Sequence, residues 1–425
     1  MLAFSRAFGL LDGMTDVLVA ASGGADSTAA LHALHRLRSR GLLPLRLVCA
    51  HVNHGIRGPE SDADERFVHA QAQALGTPFV QSRVDVVGWA ARRGLSLETA
   101  ARDLRMQALA AMAGQNRCQG IVTGHQKNDN AETLVQRMAR GTGFRGVAGI
   151  WPSRPIRRGL RVVRPLLCTT RQEVLHYLRH NRLPWREDAT NSSLRFRRNA
   201  IRARLLPALE AEGNAPLVDL LSDLALATYR LYCNAVLPQA ALAWPEVAAG
   251  QIPAGVDLDA DRVRDQPPLV QVELIRLALG RLGCGERDWT ERHYARILAL
   301  AASKGRTGAV SLPGGFLAVA RAGRIHIGRP SQRPDPDLGQ AALQIPGQVR
   351  WGPWLVEAAV FAAHTLKPGQ VTDNPLPSTA WLDCDLLSPP LVVRARRPGD
   401  RLRPLGLDLD KKVGRLLTDA RVPPW

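Results

Sequence analysis

The chain has almost no lysine, few aromatic residues, no paired-cysteine motif and no long apolar run, and each shortage excludes a class of protein. Six cysteines, Cys49, Cys118, Cys168, Cys233, Cys284 and Cys384, stand singly. Without a Cys-x-x-Cys spacing there is no signal for structural zinc, an iron–sulfur cluster or a redox dithiol, and buried free thiols are expected. No apolar stretch approaches the roughly 20 residues that span a bilayer, and Asp12 and Asp16 interrupt the amino-terminal segment before a secretory pattern develops. A cytoplasmic protein with no membrane role is expected. Gly-Lys-Ser/Thr occurs nowhere, so the lysine that reaches the outer phosphates in kinases and GTPases is missing, which argues against transfer of a terminal phosphoryl group. Acid is short as well: 38 Asp and Glu face 56 Lys and Arg, for a net charge of +18. Residues 1–210 hold 31 of the basic and 16 of the acidic residues, so +15 of that charge lies in the first half. Such an excess favours a polyanion, nucleic acid above all, bound mainly against that half. Only five of the basic residues are lysine; genome composition explains that preference, but not the excess over acids.

What is present is most specific at Ser22-Gly23-Gly24-Ala25-Asp26-Ser27, directly after the apolar run Val17–Ala21. The glycines let the backbone approach a pyrophosphate, Ser22 and Ser27 offer hydroxyls, and a helix starting here turns free N–H groups and its positive dipole end toward an anion. Read alone, it could be a small-residue turn. The full hexapeptide between strand and helix resembles the PP-loop of the ATP pyrophosphatases, which cleave between the α and β phosphates.

At 425 residues, two or three domains are expected. Apolar runs at 17–21, 45–52, 78–84 and 121–124 read as buried strands, with helical stretches at 27–40 and 61–75 between them. Ser61 and Asp64 suggest a capping box opening the second helix, and Thr170 with Glu173 another, for a helix through about Leu183. This alternation predicts an α/β fold with a parallel sheet covered on both faces and ligand at the carboxyl ends of its strands. Beyond Pro207 the helices become alanine- and leucine-rich (217–237, 269–282), followed by a β-rich piece at 308–328, a proline-rich linker at 328–337 and short alternating segments from about Gln344. The expected division is 1–207 catalytic, 208–330 helical and 338–425 carboxyl-terminal and mostly β.

Further candidates lie along the first half. Asp129 and Glu132, in the run Gly124 to Thr133, are three residues apart on one helical face. They could be mere helix-start chemistry; beside a phosphate loop they suit Mg²⁺, which takes one or two carboxylates plus phosphates and water. Glu98 and Arg102 could form a surface ion pair, or Arg102 could clamp a phosphate, with Arg105 one turn on. Gly141 to Gly146 satisfies G-x-G-x-x-G, but follows a helix and is not followed by a ribose-binding acid before Glu173, so a dinucleotide fold is unsupported. It reads as a turn from which Arg140 and Arg145 reach phosphates, or as a helix-ending glycine loop. His51 and His54 invite a metal, yet no third ligand is evident, and a polar loop beside adenine or ribose is the better reading. Arg195, Arg197, Arg198, Arg202 and Arg204, with Phe196 and Trp185, could be a solvated helix face, or an RNA contact in which guanidinium meets phosphate and aromatic meets base. A second basic stretch includes Arg396, Arg397, Lys411 and Lys412.

In order along the chain, these segments resemble the tRNA(Ile)-lysidine synthetase family: Ser22–Ser27, His51–Arg57, Glu98–Arg105, His125–Thr133, Arg140–Gly146, Arg164–Leu167, Trp185–Arg202, and the terminal Pro398–Gly406 with Lys411-Lys412. Three positions depart from the family pattern: Gln126 for a second histidine, Met106 for a tyrosine and Asn53 for an aspartate. The carboxyl domain is also expected to end early, at Trp425. The resemblance implies a Rossmann-like, adenine nucleotide α-hydrolase-like PP-loop domain, followed by a small helical and a small β domain. It implies ATP and Mg²⁺ as cofactors, and an isoleucine tRNA with a CAU anticodon and free L-lysine as substrates; a homodimer is left open. Carried over by residue, ATP would meet Ser22, Gly23, Gly24, Ala25, Asp26, Ser27, His51 and His125. Catalysis would fall to Asp26, Arg102, Asp129, Glu132 and Arg198, with Mg²⁺ on Asp129 and Glu132. The tRNA would meet Arg140, Arg145, Arg195, Arg197, Arg198, Arg202, Arg396, Arg397, Lys411 and Lys412. A tRNA thiolase, lacking here its usual cysteine pair, a small-molecule amidotransferase and an inactive RNA-binding protein are the alternatives.

Overall fold

A computed structural model describes residues 1–187, 197–252, 255–285, 289–302, 308–321, 323–329, 339–352, 354–366, 371, 379–388, 390–397, 399–403 and 409–419. The chain divides into two compact units, Met1–Leu242 with Thr290–Arg292, and Ala243–Trp289 with His293–Trp425.

The first unit is built on the four expected strands plus two more. These are β1 (Asp16–Ala20), β2 (Arg46–Asn53), β3 (Phe79–Arg83), β4 (Gly120–Val122), β5 (Ser153–Arg157) and β6 (Leu160–Val163), in spatial order β3-β2-β1-β4-β6-β5. All neighbours run parallel except the edge strand β5. Both faces of β1 are apolar and the side chains alternate. Val17 and Val19 join the core beneath α1 (Leu2–Ala7), α2 (Ala25–Ser39) and α3 (Pro59–Ala74). Leu18 joins Val48, Ile121, Leu109 and Met112 on the opposite face. α4 (Val86–Arg93) packs with α5 (Leu97–Gln115), which supplies Leu109 and Met112. With β2 on one side of β1 and β4 on the other, the chain reverses direction across the sheet at β1, and the loops after β1 and β4 open a crevice at that switch.

Next come α6 (Lys127–Met138), α7 (Phe144–Val147), α8 (Arg171–His180), α9 (Arg197–Ala200), a π-helical turn (Ile201–Leu205), α10 (Leu206–Gly213) and α11 (Leu217–Leu231). The two expected capping boxes fare differently. Thr170 and Glu173 form theirs reciprocally, Thr170 Oγ1 accepting from the Glu173 N–H and Glu173 from the Thr170 N–H. The Ser61–Asp64 box does not form: α3 starts two residues earlier, at Pro59 after Gly58 with φ +52°. Proline at the first helical position needs no N–H partner, and Asp64 is taken by Arg57 and Arg186.

In the second unit an antiparallel five-stranded sheet runs Ala248–Ile252, Gly255–Asp259, Arg324–Gly328, Phe316–Arg321, Gly308–Leu312. Helices Ala260–Arg264 and Pro268–Arg281 accompany it, and three short antiparallel pairs follow, the last joining Arg401–Leu402 to Lys411–Lys412. The α/β parallel-sheet domain, helical region and small β carboxyl-terminal region are thus as expected. No helix among the described residues is long and apolar enough to cross a membrane. Replacing Thr170 by Ala removes the cap of α8 and is expected to lower stability by about 1 kcal/mol, read as an earlier midpoint in urea denaturation; an unchanged midpoint would contradict that role for the cap.

Candidate functional site

Three loops meet at the carboxyl edge of the sheet. The Ser22–Ser27 loop closes on itself: Ser27 Oγ donates to the Gly24 carbonyl (3.0 Å) and accepts from the Ser22 N–H (3.1 Å), while the two hydroxyls lie 3.2 Å apart. The serines therefore shape the cradle, and the N-terminal N–H groups of α2 stand at its mouth for an anion. Gly23 sits at φ +84°, where a side chain is strained, and a Cβ there would come within 3.1 Å of Phe67. The loop after β4 packs on this cradle backbone to backbone, a Cβ at Gly124 falling 2.8 Å from the Asp26 carbonyl carbon and 2.9 Å from the Ser27 nitrogen. From β2, His51 is buried with Nδ1 2.9 Å from the Ala21 carbonyl. A carbonyl only accepts, so Nδ1 carries the proton in this contact.

That contact at Gly124 brings the carboxylates of α2 and α6 together. Burial, and then the charge of Asp129, push Asp26 up to about 6, against the pull of Arg171 and Arg202; its Oδ1 is buried without a hydrogen-bond partner. Burial also raises Asp129, although Arg198 and the Gln126 N–H, which donates to its Oδ2 (2.9 Å), favour the charged form. Glu132 has no solvent exposure. Arg198 Nε donates to its Oε2 (2.7 Å), Arg202 Nε to its Oε1 (2.6 Å) and Arg202 Nη2 to its Oε2 (3.2 Å), while Arg198 Nη2 reaches Asp129 Oδ1 (2.8 Å).

Further arginines crowd the same region. Arg102 and Arg105 lie on α5 and both retain solvent access. The protein closing round Arg105 still depresses its pKa, with Arg102 and Arg198 adding to the effect. Arg164, buried and bonded to the Trp151 carbonyl, is pushed down to about 10 by burial, then by Arg154 and Arg102. Between these arginines His125, held by Thr123 Oγ1 (2.9 Å), lies far below an ordinary histidine, through burial first and then Arg164, Arg105, Arg198 and Arg102. His54 is pushed down to about 4 by burial, Arg105 and His51. Both imidazoles are neutral at pH 7 and add no charge beside the arginines.

The structure thus gathers Ser22, Gly23, Gly24, Ala25, Asp26, Ser27, His51, Arg102, His125, Asp129, Glu132, Arg198 and Arg202 about this edge. Others lie apart. Arg140 is exposed at the end of α6. Arg145 lies over the Trp151 ring, 5.0 Å from its centroid, and Gly141, at φ +75°, ends the helix region as the glycine-loop reading had it. Arg137, which the sequence gave no reason to single out, ties that turn down by donating to the carbonyls of Gly146 (3.0 Å) and Gly149 (2.8 Å). Arg105 and Arg164 were not named as site residues, although Arg105 lies one turn beyond Arg102 and Arg164 opens the Arg164–Leu167 segment of the family resemblance. Arg195 lies outside the described residues, as does the side chain of Arg197. In the other unit Arg396, Arg397 and Lys412 are exposed and Lys411 is half-buried; Asp400, held at about 2 chiefly by its bond to Arg394, fixes their turn. Where an aspartate was expected, Asn53 Nδ2 donates to Asp62 Oδ1 (3.0 Å) and Glu65 Oε2 (2.8 Å). An aspartate there would face two carboxylates instead.

Such a site can hold a polyphosphate at the start of α2, a cation between Asp26 and Asp129, and further anionic groups on the arginines. Family comparison agrees: residues 4–209 match a model of the PP-loop domain and residues 258–326 one of the TilS substrate binding domain. A tRNA(Ile)-lysidine synthase of Symbiobacterium thermophilum is 36% identical over 98% of this chain and 86% of its own length. That of Geobacter sulfurreducens is 32% identical over 99% and 87%. Among solved structures, a U34-tRNA thiolase from Methanococcus maripaludis with its [4Fe-4S] cluster aligns at TM-score 0.44 and 16% identity, covering 55% of this chain and 78% of that one.

Two variants test this geometry. Gly124→Ala is expected to cost about 1–3 kcal/mol as an overpacked contact, measurable by thermal melting; a wild-type melt would contradict the backbone contact. His54 takes up its proton near pH 6.5 in the unfolded chain but only near pH 4 in the folded one. Its contribution to stability is therefore complete above the unfolded value and lost as pH falls from about 6.5 to about 4. His54→Gln is expected to flatten the fall in urea stability between pH 7 and pH 5; an unchanged slope would contradict this.

Proposed function

Because the chain belongs to the tRNA(Ile)-lysidine synthase family, we propose that it ligates lysine to C2 of the wobble cytidine of an isoleucine tRNA with a CAU anticodon, forming a carbon–nitrogen bond at the expense of ATP. The cytosine O2 attacks the α-phosphorus and pyrophosphate leaves; the amine of free lysine then attacks C2 and AMP leaves. Adenylation turns a poor oxygen leaving group into a good one. A wobble base in an anticodon loop can be splayed out to reach such a site; a tRNA substrate implies a cytoplasmic enzyme.

One observation carries the assignment of roles: Asp26 and Asp129 are brought together at the mouth of the phosphate cradle, with Arg198 bonded to Asp129 and close enough to act on Arg105. The Ser22 loop with the start of α2 binds the departing pyrophosphate, and His51 and His125 line the nucleotide. Arg102 and Arg198 clamp the phosphate that is transferred. The unpartnered Oδ1 of Asp26 beside Asp129 fits Mg²⁺. That ion would screen phosphate charge, and Glu132, with both oxygens on guanidinium groups, is less suited to it than Asp26. Arg140, Arg145 and Arg202, with Arg396, Arg397, Lys411 and Lys412, would offer basic groups to the tRNA phosphates, and the same role is proposed for Arg195 and Arg197. Within the chain, 1–207 serves as the catalytic domain, 208–330, which carries helices and the five-stranded sheet, as a tRNA-binding domain and 338–425 as a terminal one.

Pyrophosphate release is expected to require both the tRNA and its wobble cytidine. Asp129→Asn is expected to reduce it by about 100-fold or more while tRNA affinity stays within about twofold. Full activity of that variant would sink the assignment of Asp129.

A further inference from the structure

We propose that Glu132 is a positioning residue, not a metal ligand: it anchors Arg198 and Arg202 and thereby fixes the basic segment Arg197–Leu205 at the nucleotide site. Glu132 is wholly buried and each of its oxygens accepts from a guanidinium, Oε1 from Arg202 and Oε2 from both arginines, at 2.6–3.2 Å. Charge-assisted forks of this kind fix direction as well as distance. A magnesium ion demands oxygens at about 2.0–2.1 Å, and Glu132 already engages three of its roughly four lone-pair sites with guanidinium groups, so an ion there would have to share Oε1 with the Arg202 cation or displace it. Asp26, with a free Oδ1, requires no such exchange.

The segment itself supports this role. Arg198 lies in α9 and Arg202 four residues on, in the π-helical turn Ile201–Leu205; such turns are uncommon and concentrate at functional sites. Arg198 spans the two carboxylates, Nε on Glu132 and Nη2 on Asp129. One buried side chain on α6 therefore sets where the arginine assigned to the transferred phosphate stands. It also sets how a segment expected to meet RNA is held. The role assigned to Arg198 rests on the synthase reading; the anchoring itself does not.

Two readouts keep them apart. Without any substrate, trypsin should cleave Glu132→Gln after Arg197, Arg198, Arg202 or Arg204 about tenfold faster than the wild type, because the fork no longer holds the segment closed. Equal cleavage would overturn the anchor whatever the protein catalyses. With tRNA, ATP and lysine, Glu132→Gln should lower maximal pyrophosphate release by about tenfold or more and leave the Mg²⁺ concentration for half-maximal rate within about twofold. A metal ligand would instead shift that concentration by about tenfold, with the rate restored at high Mg²⁺, and this result would overturn the proposal. Should Glu132→Gln not fold, Arg202→Gln and Arg202→Lys carry the test: both should leave the Mg²⁺ dependence unchanged, and lysine should restore trypsin resistance in part. Wild-type resistance in Arg202→Gln would overturn the anchor. Absence of tRNA-dependent pyrophosphate release from the wild type would count against the synthase reading alone.

Discussion

The close passage of the β4–α6 turn over the Ser22 loop governs the site. At Gly124 no side chain separates the two backbones, so the helices that begin there, α2 and α6, present Asp26 and Asp129 to one another. Two carboxylates held together away from water are unfavourable when both are charged. The chain answers with arginine: Arg198 and Arg202 from beyond α8, and Arg171 at the start of α8, all act on this acidic pair. Much of the first unit's polar architecture follows from that requirement.

The same constraint explains the character of the crowded arginines. Arg102, Arg105 and Arg164 stand close enough to depress the protonation of their neighbours, and His125 and His54 stay neutral among them. A cleft in which buried acid meets crowded arginine suits a metal-bound polyphosphate approached by a polyanionic RNA. It does so without a Walker lysine, in keeping with a cut between the α and β phosphates. ATP and tRNA, the reactants of the synthase family, are both highly charged, and their binding would relieve the repulsion among the arginines.

Most of this was legible in the sequence where it is local. Apolar runs bounded by turn residues located four strands of the sheet, and the Ser22 hexapeptide and the Asp129–Glu132 spacing located two of the three loops, because each depends on neighbours within a few residues. What was not legible depends on distant pairing. Asp129 and Glu132 read as a cation site because nothing in their spacing shows that Arg198 and Arg202, some seventy residues on, would take up Glu132. Nothing in the Gly141–Gly146 spacing shows that Arg145 lies over Trp151, or that Arg137, without any motif, fastens the turn. The Ser61 box failed because a proline two residues earlier gives α3 an equally good start and Asp64 has partners elsewhere. The edge strand β5 has three exposed or half-exposed polar residues among its five and gave no periodic signal.

The central claim is that this cleft activates a wobble cytidine and gives it to lysine. Incorporation of labelled lysine into an unmodified isoleucine tRNA transcript with a CAU anticodon, with and without ATP and beside a cytidine-to-uridine wobble variant, tests it most directly. ATP-dependent labelling that disappears in the variant is the result expected. Labelling of both transcripts alike, or none despite measurable tRNA binding, would contradict it.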